Sequence, residues 1–274
     1  MPTASSAKTR KPSLSPTRIL SYLECAVKYK YVYIDKIGRF YFKAKPQLSF
    51  GSSLHHVLQT FHEQGASHTQ EEMVSTLETQ WISAGYTSKE EEAKQRETGA
   101  EIVQAYHSAH QERIIAQVET IATEKTISCD LGAFKLSGRV DRIDKHPDGT
   151  LEIVDYKSGR WEVAEEQVYN DFAMRCYQLI LSDLYPDTPI TATIYCLRSG
   201  ISATTRLDSE EMSLFREEVT LLGEEILNYD YTELIPEPIE VCSECEFLRL
   251  CKRYWTQEQR KEWIVDEPSP EEGF

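Results

Sequence analysis

The sequence predicts an α/β fold, and three observations carry that prediction. Apolar residues recur at helical spacing through residues 16–120, change to two-fold alternation between Glu124 and Lys157, and return to helical spacing from Glu165. The last two of the alternating runs are joined by His146-Pro147-Asp148-Gly149, a hairpin turn signal. The chain has 274 residues, 40% of them hydrophobic, which is enough to bury a sizeable core.

Taken in order, residues 1–15 read as a flexible tail. Ser15 then caps a helix of about fifteen residues with Pro16 at its first position. Helices are predicted over Ser52 to Gln64, Gln70 to Ala84 and Lys89 to Val118, the last marked by Ile102, Val103, Tyr106, Ile114 and Ile115. Strands follow over Glu124 to Cys129, Ala133 to Lys145 and Thr150 to Lys157, then a helix from Glu165 to Tyr185. Strands over Ile190 to Arg198 and Ala203 to Leu207 precede a helix from Ser209 to Tyr229. This organisation reads as one domain over 16–255: a helical part (16–120), an α/β core (121–230) and a Cys-rich segment (231–255). Residues 256–274 read as a helix end and an acidic tail, disordered from Asp266 onward.

No apolar run reaches the roughly 18 residues of a membrane span, and Met1 to Pro16 lacks an apolar signal core. The expectation is a cytoplasmic protein with no membrane partner. The net charge of −15 is uneven: residues 1–50 hold ten basic side chains against Glu24 and Asp35, a net of +8, which leaves −23 for the rest. Tyr22, Tyr29, Tyr31, Tyr33, Phe40, Tyr41 and Phe42 lie in that basic stretch. Two readings are open there, a surface that tracks and stacks a single strand, or core aromatics of an amphipathic segment.

The strand pair around the hairpin carries the chemistry. Alternation places Ile153, Asp155 and Lys157 on one face and Val154 and Tyr156 on the other. A turn centred near Asp148 makes paired residue numbers sum to about 296, which sets Asp141 opposite Asp155. Two carboxylates side by side call for a neutralising partner, and Mg²⁺ or Mn²⁺ is the usual one. Such a cation polarises a phosphate and acidifies a bound water, while Lys157 orients or deprotonates that water, so phosphodiester hydrolysis is the natural reaction. The plain alternative is a surface ion pair between Asp155 and Lys157.

Cys242-x2-Cys245-x5-Cys251, with Cys25 far upstream, supplies four sulfurs able to hold one metal or cluster, and the spacing alone leaves zinc and 4Fe-4S both open. Cys129, Cys176 and Cys196 lie in apolar settings and read as core thiols.

Gly138-Arg-Val-Asp141-Arg-Ile-Asp144 followed by Ile153-Val-Asp155-Tyr-Lys157-Ser-Gly159 resembles the RecB-family nuclease domain of the PD-(D/E)XK superfamily. Phe50-Gly51-Ser-Ser-Leu-His55 resembles that family's Gly-x-x-x-His helix, and Tyr177-Gln178-Leu179 the start of its Gln-x-x-x-Tyr helix, although Ser182 stands where the Tyr belongs. The resemblance implies a restriction-endonuclease-like core, a central mixed β-sheet flanked by helices, with an N-terminal helical region and a C-terminal iron-sulfur segment. It implies a metal held by His55, Asp141, Asp155 and the carbonyl of Tyr156, with Lys157 serving the water and Gln178 contacting substrate. Glu124 stands where the family often carries an acidic residue, and a surface glutamate is its plainer reading. One cysteine before the core and three after it is similar to the iron-sulfur nucleases of the AddB and CRISPR-adaptation type, which implies a 4Fe-4S cluster on Cys25, Cys242, Cys245 and Cys251, ahead of zinc.

The function so implied is a metal-dependent DNA nuclease acting on single-stranded or frayed ends in repair and recombination, the Arg142-Ile143-Asp144 extension being closer to the RecB and AddB branch than to CRISPR-adaptation exonucleases. No Gly-x-x-x-x-Gly-Lys-Ser/Thr loop is present, so unwinding falls to a helicase or recombination partner. Two other classes stay open: a non-catalytic DNA-binding subunit, which would show no metal-dependent turnover, and a structural zinc protein, which would be colourless.

Overall fold

The structure, a computed structural model, describes residues 11–262. In chain order it contains β1 (Ser13–Leu14), α1 (Pro16–Glu24), α2 (Ala26–Tyr29), α3 (Pro46–Glu63), α4 (Gln70–Gln80), α5 (Lys89–Ile115), β2 (Glu119–Asp130), β3 (Lys135–Lys145), β4 (Leu151–Lys157), α6 (Glu165–Tyr169), α7 (Phe172–Leu184), β5 (Ile190–Cys196), β6 (Ser202–Thr205), α8 (Ser209–Asn228), α9 (Leu248–Cys251) and α10 (Gln257–Glu262). Among the described residues no helix is long and apolar enough to cross a membrane.

Where the sequence predicts one domain, the described residues form two compact units: those up to Pro16 with Lys43–Glu224, and Thr17–Phe42 with those from Glu225 onward. The expected tail also differs. Positions 1–10 lie outside the described residues, as does the acidic tail from Asp266, but Ser13–Leu14 pair in parallel with Lys135 and Leu136 of β3. Leu14 is buried there, and Lys11 forms an ion pair with Asp130 at 2.7 Å.

In the first unit a mixed sheet runs β3-β4-β5-β6, with β1 beside the start of β3 and β2 along its other edge. β2, β3 and β4 are antiparallel neighbours, β4 and β5 are parallel, and β6 returns antiparallel. Arg142 pairs with Val154, Ile143 with Ile153 and Asp144 with Glu152, the register the turn predicts. The turn is closed by Gly149 N–H to His146 O and by Thr150 N–H to Asp148 Oδ1, both 2.9 Å.

One core joins α3, α4 and α5 to β4. Phe50, Leu54, Val57, Leu58 and Phe61 recur at helical spacing on α3 and pack with Val154 and Tyr156. A second cluster sets Val168 and Met174 of α6 and α7 against Ala192, Ile194 and Cys196 of β5. The single helix predicted from Glu165 to Tyr185 is broken at Asn170 and Asp171. Asp171 adopts extended backbone, and its carboxylate accepts the N–H groups of Ala173 and Met174 to cap α7.

A buried charge network lies beneath β3 and β4. The Arg142 guanidinium, 2% exposed, donates to Tyr156 Oη at 2.6 Å and to Tyr106, with Nε 3.0 Å from Asp144. Arg113 bridges Asp144 at 2.6 Å and Glu152 at 2.5 Å, and Thr120 and Thr193 donate to the same two carboxylates. Burial and the Arg142 charge hold His62 neutral, so its Nε2 accepts from Arg142 at 2.8 Å. Removing one partner of such a pair leaves an uncompensated charge, which typically costs about 3–5 kcal/mol. Arg142→Met is therefore expected to lower unfolding free energy by about that amount in urea titration, whereas a loss below about 1 kcal/mol would show the network to be dispensable.

Candidate metal centre and thiol cluster

The site is assembled from β2, β3, β4 and α3. Asp141 precedes Arg142 on β3, and its Oδ2 accepts the Tyr156 N–H at 2.8 Å, fixing the carboxylate across the two strands. Asp155 and Lys157 share the face opposite Tyr156, with Nζ 2.6 Å from Asp155 Oδ2. From α3, His55 Nδ1 lies 3.4 Å from Asp141 Oδ1 and 3.7 Å from Glu124 Oε1, while His56 is exposed. His55, Glu124 and Asp141 each offer a ligand atom within 4.8 Å of the others, a donor set of carboxylate oxygen and imidazole nitrogen that fits a hard or borderline divalent cation.

Two close approaches make this possible. A Cβ on Gly51 would meet Ser158 Oγ at 2.8 Å, so glycine there leaves room for that hydroxyl where α3 lies against the loop after Lys157 and brings His55, one turn on, to the carboxylates. A Cβ on Gly138 would strike the Tyr177 ring at 2.3 Å, so glycine in β3 seats that ring against the sheet.

Glu124 is where sequence reasoning falls short. Rather than lying on the surface, its side chain is only 12% exposed, with Oε2 2.7 Å from Arg139 Nε. Its backbone has φ +45°, the left-handed region that costs a non-glycine residue on the order of 1–2 kcal/mol. The flanking pairs Thr123 with Arg142 and Lys125 with Val140 place it beside Asp141. Nothing in a linear sequence announces that strain.

Electrostatics follow the geometry. Burial opposes protonation of His55, but contact with Asp141 and Glu124 and their charges outweigh it and raise the imidazole to about 10. Burial and then the Asp141 charge push Asp155 up to about 6 against the pull of Lys157. Burial alone would lower Lys157, yet Asp155, Asp171 and Asp141 raise it, so it stands as a cation rather than a base.

Gln178, expected to meet substrate, is fully buried, and its Oε1 accepts the Leu207 N–H at 3.0 Å. It therefore pins the segment after β6. Its neighbour Tyr177 faces the centre instead, and burial followed by the charges of Asp155 and Asp141 raises its phenol. Ser182 turns its hydroxyl back to Leu179 O. The signal for Tyr177 was Gly138, a glycine inside a strand that marks a close neighbour.

The second unit holds the four sulfurs. The helix predicted from Pro16 breaks at Cys25, whose extended backbone turns Sγ to accept the Lys28 N–H at 3.4 Å. Cys242 Sγ accepts the Ile239 N–H at 3.5 Å. All four line one pocket with Val27, Phe247 and Leu248. Burial and then the other three sulfurs push the Cys251 thiol up to about 12. Cys129, Cys176 and Cys196 are core thiols, as predicted. The basic aromatic stretch resolves mostly to core: Tyr22, Tyr29 and Tyr31 are buried, and Tyr29 stacks on Tyr231, while Phe40 and Phe42 are exposed.

A family profile described as the PD-(D/E)XK nuclease superfamily matches residues 13–252. Among solved structures, an exonuclease candidate from Eubacterium rectale aligns with a TM-score of 0.53 at 12% identity, over 98% of this chain and 96% of that one, a likeness of fold. SSO0001 aligns at 12% identity over 86% of this chain and 100% of that one, and VC1899 from Vibrio cholerae at 9% over 79% and 59%. Their TM-scores of 0.33 and 0.26 are too low to support a structural comparison. No curated protein matches the sequence.

Two outcomes follow from this geometry. A cation must displace the His55 proton, so Mn²⁺ affinity measured by calorimetry is expected to rise roughly tenfold per pH unit between about pH 6.5 and 8.5, and to lose that dependence in His55→Asn. A flat profile in the parent protein would contradict the assignment. Glu124→Gly relieves the left-handed backbone, so its melting temperature is expected to hold or rise while Mn²⁺ affinity falls; a lowered melting temperature would deny the strain.

Proposed function

The chain belongs to the PD-(D/E)XK nuclease superfamily, and from that premise we propose that it is a divalent-metal-dependent DNA nuclease acting on single-stranded or frayed ends, with a 4Fe-4S cluster in its second unit. The observation that carries this reading is the convergence of His55, Glu124 and Asp141 beside the Asp155–Lys157 pair. His55, Glu124, Asp141 and Asp155, with the carbonyl of Tyr156, would hold Mg²⁺ or Mn²⁺. When bound, such a cation polarises the phosphate and lowers the pKa of a water. The Lys157 ammonium faces the same space and offsets charge that builds on the phosphorane. Asp155 holds that ammonium in place, and the Tyr156 N–H holds Asp141.

For the sulfurs, Cys25, Cys242, Cys245 and Cys251 would be the ligands. The placement of one cysteine before the core and three after it, similar to that of iron-sulfur nucleases, supports a cluster ahead of zinc. The N–H bonds to the Cys25 and Cys242 sulfurs suit cluster thiolates, whose potential such bonds tune. Repair and recombination remain the biological setting proposed, with CRISPR adaptation the alternative. Arg142 and Asp144 belong to the buried network, so their presence reports on the fold rather than on the setting.

The test is cleavage of end-labelled single-stranded DNA by anaerobically purified protein with Mg²⁺ or Mn²⁺. Asp155→Ala and Lys157→Ala are each expected to reduce the rate at least about a hundredfold while absorbance near 400 nm persists. Undiminished cleavage in both variants would remove the site from the mechanism, and a colourless zinc-loaded product would overturn the cluster.

A further inference from the structure

The parallel strands β4 and β5 end beside a groove that the metal centre leaves unused. In open α/β sheets, ligands bind in the crevice beyond the carboxyl ends of parallel strands. Here those ends deliver Lys157, paired in register with Cys196, and, two residues beyond Cys196, Arg198. The strand ends are tied together: Leu197 N–H donates to Lys157 O at 3.0 Å and Arg198 Nε to Ser158 O at 2.8 Å.

That second bond fixes the guanidinium plane. It lies over the Phe50 ring, 5.0 Å from the centroid, and 5.7 Å from the centroid of Trp161. Arg198 is half-buried, whereas Trp161 is 64% exposed, a large indole left in water four residues after Lys157. The groove beside Arg198 is lined by Pro46, Gln47, Phe50, Ser158 and Gly159. On another wall Glu91 directs its carboxylate to the Thr87 N–H at 2.8 Å and the Thr87 hydroxyl at 2.6 Å. Among the described residues no acceptor is paired with the Arg198 Nη groups, which leaves a preoriented fork for an oxyanion.

We infer that this groove is a nucleotide subsite in which Trp161 stacks on an unpaired base and Arg198 holds the phosphate beside it, leading the strand toward Lys157. The inference rests on the nuclease reading and deepens it by assigning the residues that select an unpaired strand. A base inside a duplex already has both faces covered, so an indole platform selects strands whose bases are free, at an aromatic stacking strength that tolerates any sequence.

The test is fluorescence anisotropy of a labelled oligothymidylate and of an abasic strand of equal length, in chelator and at one low salt concentration, with the full chain as parent, Trp161→Ala and Trp161→Phe. Trp161→Ala is expected to weaken oligothymidylate binding about tenfold, Trp161→Phe to retain most of it, and the abasic strand to be indifferent to both changes. Equal binding of oligothymidylate by parent and Trp161→Ala would overturn the subsite, as would the same loss on the abasic strand. Cleavage with Mn²⁺ run alongside separates the two claims. A parent that binds through Trp161 without cleaving retains the subsite and loses the nuclease, and a cleaving parent indifferent to Trp161 does the reverse.

Discussion

The register between β3 and β4 is the constraint on which the rest depends. Side chains alternate across a strand, so one pairing decides both faces at once. With Arg142 opposite Val154, Asp141 accepts the Tyr156 N–H on one side while Arg142 meets the Tyr156 hydroxyl on the other. A slip of one residue would turn Asp141 into the apolar core beside α3 and carry Arg142 to the face of Asp155 and Lys157. The network of Arg142, Asp144, Arg113 and Glu152 thus makes the wrong register costly, because each misplaced charge would lose its partner.

On that frame the centre is completed by groups that local preference would not place there. Glu124 is held in a left-handed backbone beside Asp141, and His55 arrives on α3 where Gly51 lies close against Ser158. One residue with a left-handed backbone and two close-approach glycines thus lie where the donors converge, as expected where function has helped to set the geometry.

Much of this was legible in the sequence. The alternation from Ile153 to Lys157 and the turn at His146–Gly149 gave the facing carboxylates, and the resemblance of Gly51-x-x-x-His55 to the family's helix pointed to His55, which the structure sets beside Asp141. What escaped has physical causes. Glu124 depends on a backbone angle that no residue pattern encodes, and Gln178 and Tyr177 are adjacent, so helix rotation about α7 decided which of them faces the carboxylates. The division into two units was hidden because Thr17–Phe42 joins the residues from Glu225 onward, a contact between chain ends that periodicity cannot report. Within that unit the break at Cys25 was equally invisible, since the local sequence favours a continuous helix and the turn is closed by the Cys25 sulfur accepting the Lys28 N–H.

The central claim is that His55, Glu124 and Asp141 converge to hold a divalent cation beside Asp155 and Lys157. The most direct measurement is anomalous scattering from crystals equilibrated with Mn²⁺. The account predicts a manganese peak bonded to His55 and Asp141, with Lys157 still paired to Asp155. Manganese bound elsewhere, with the three donors bare, would contradict it.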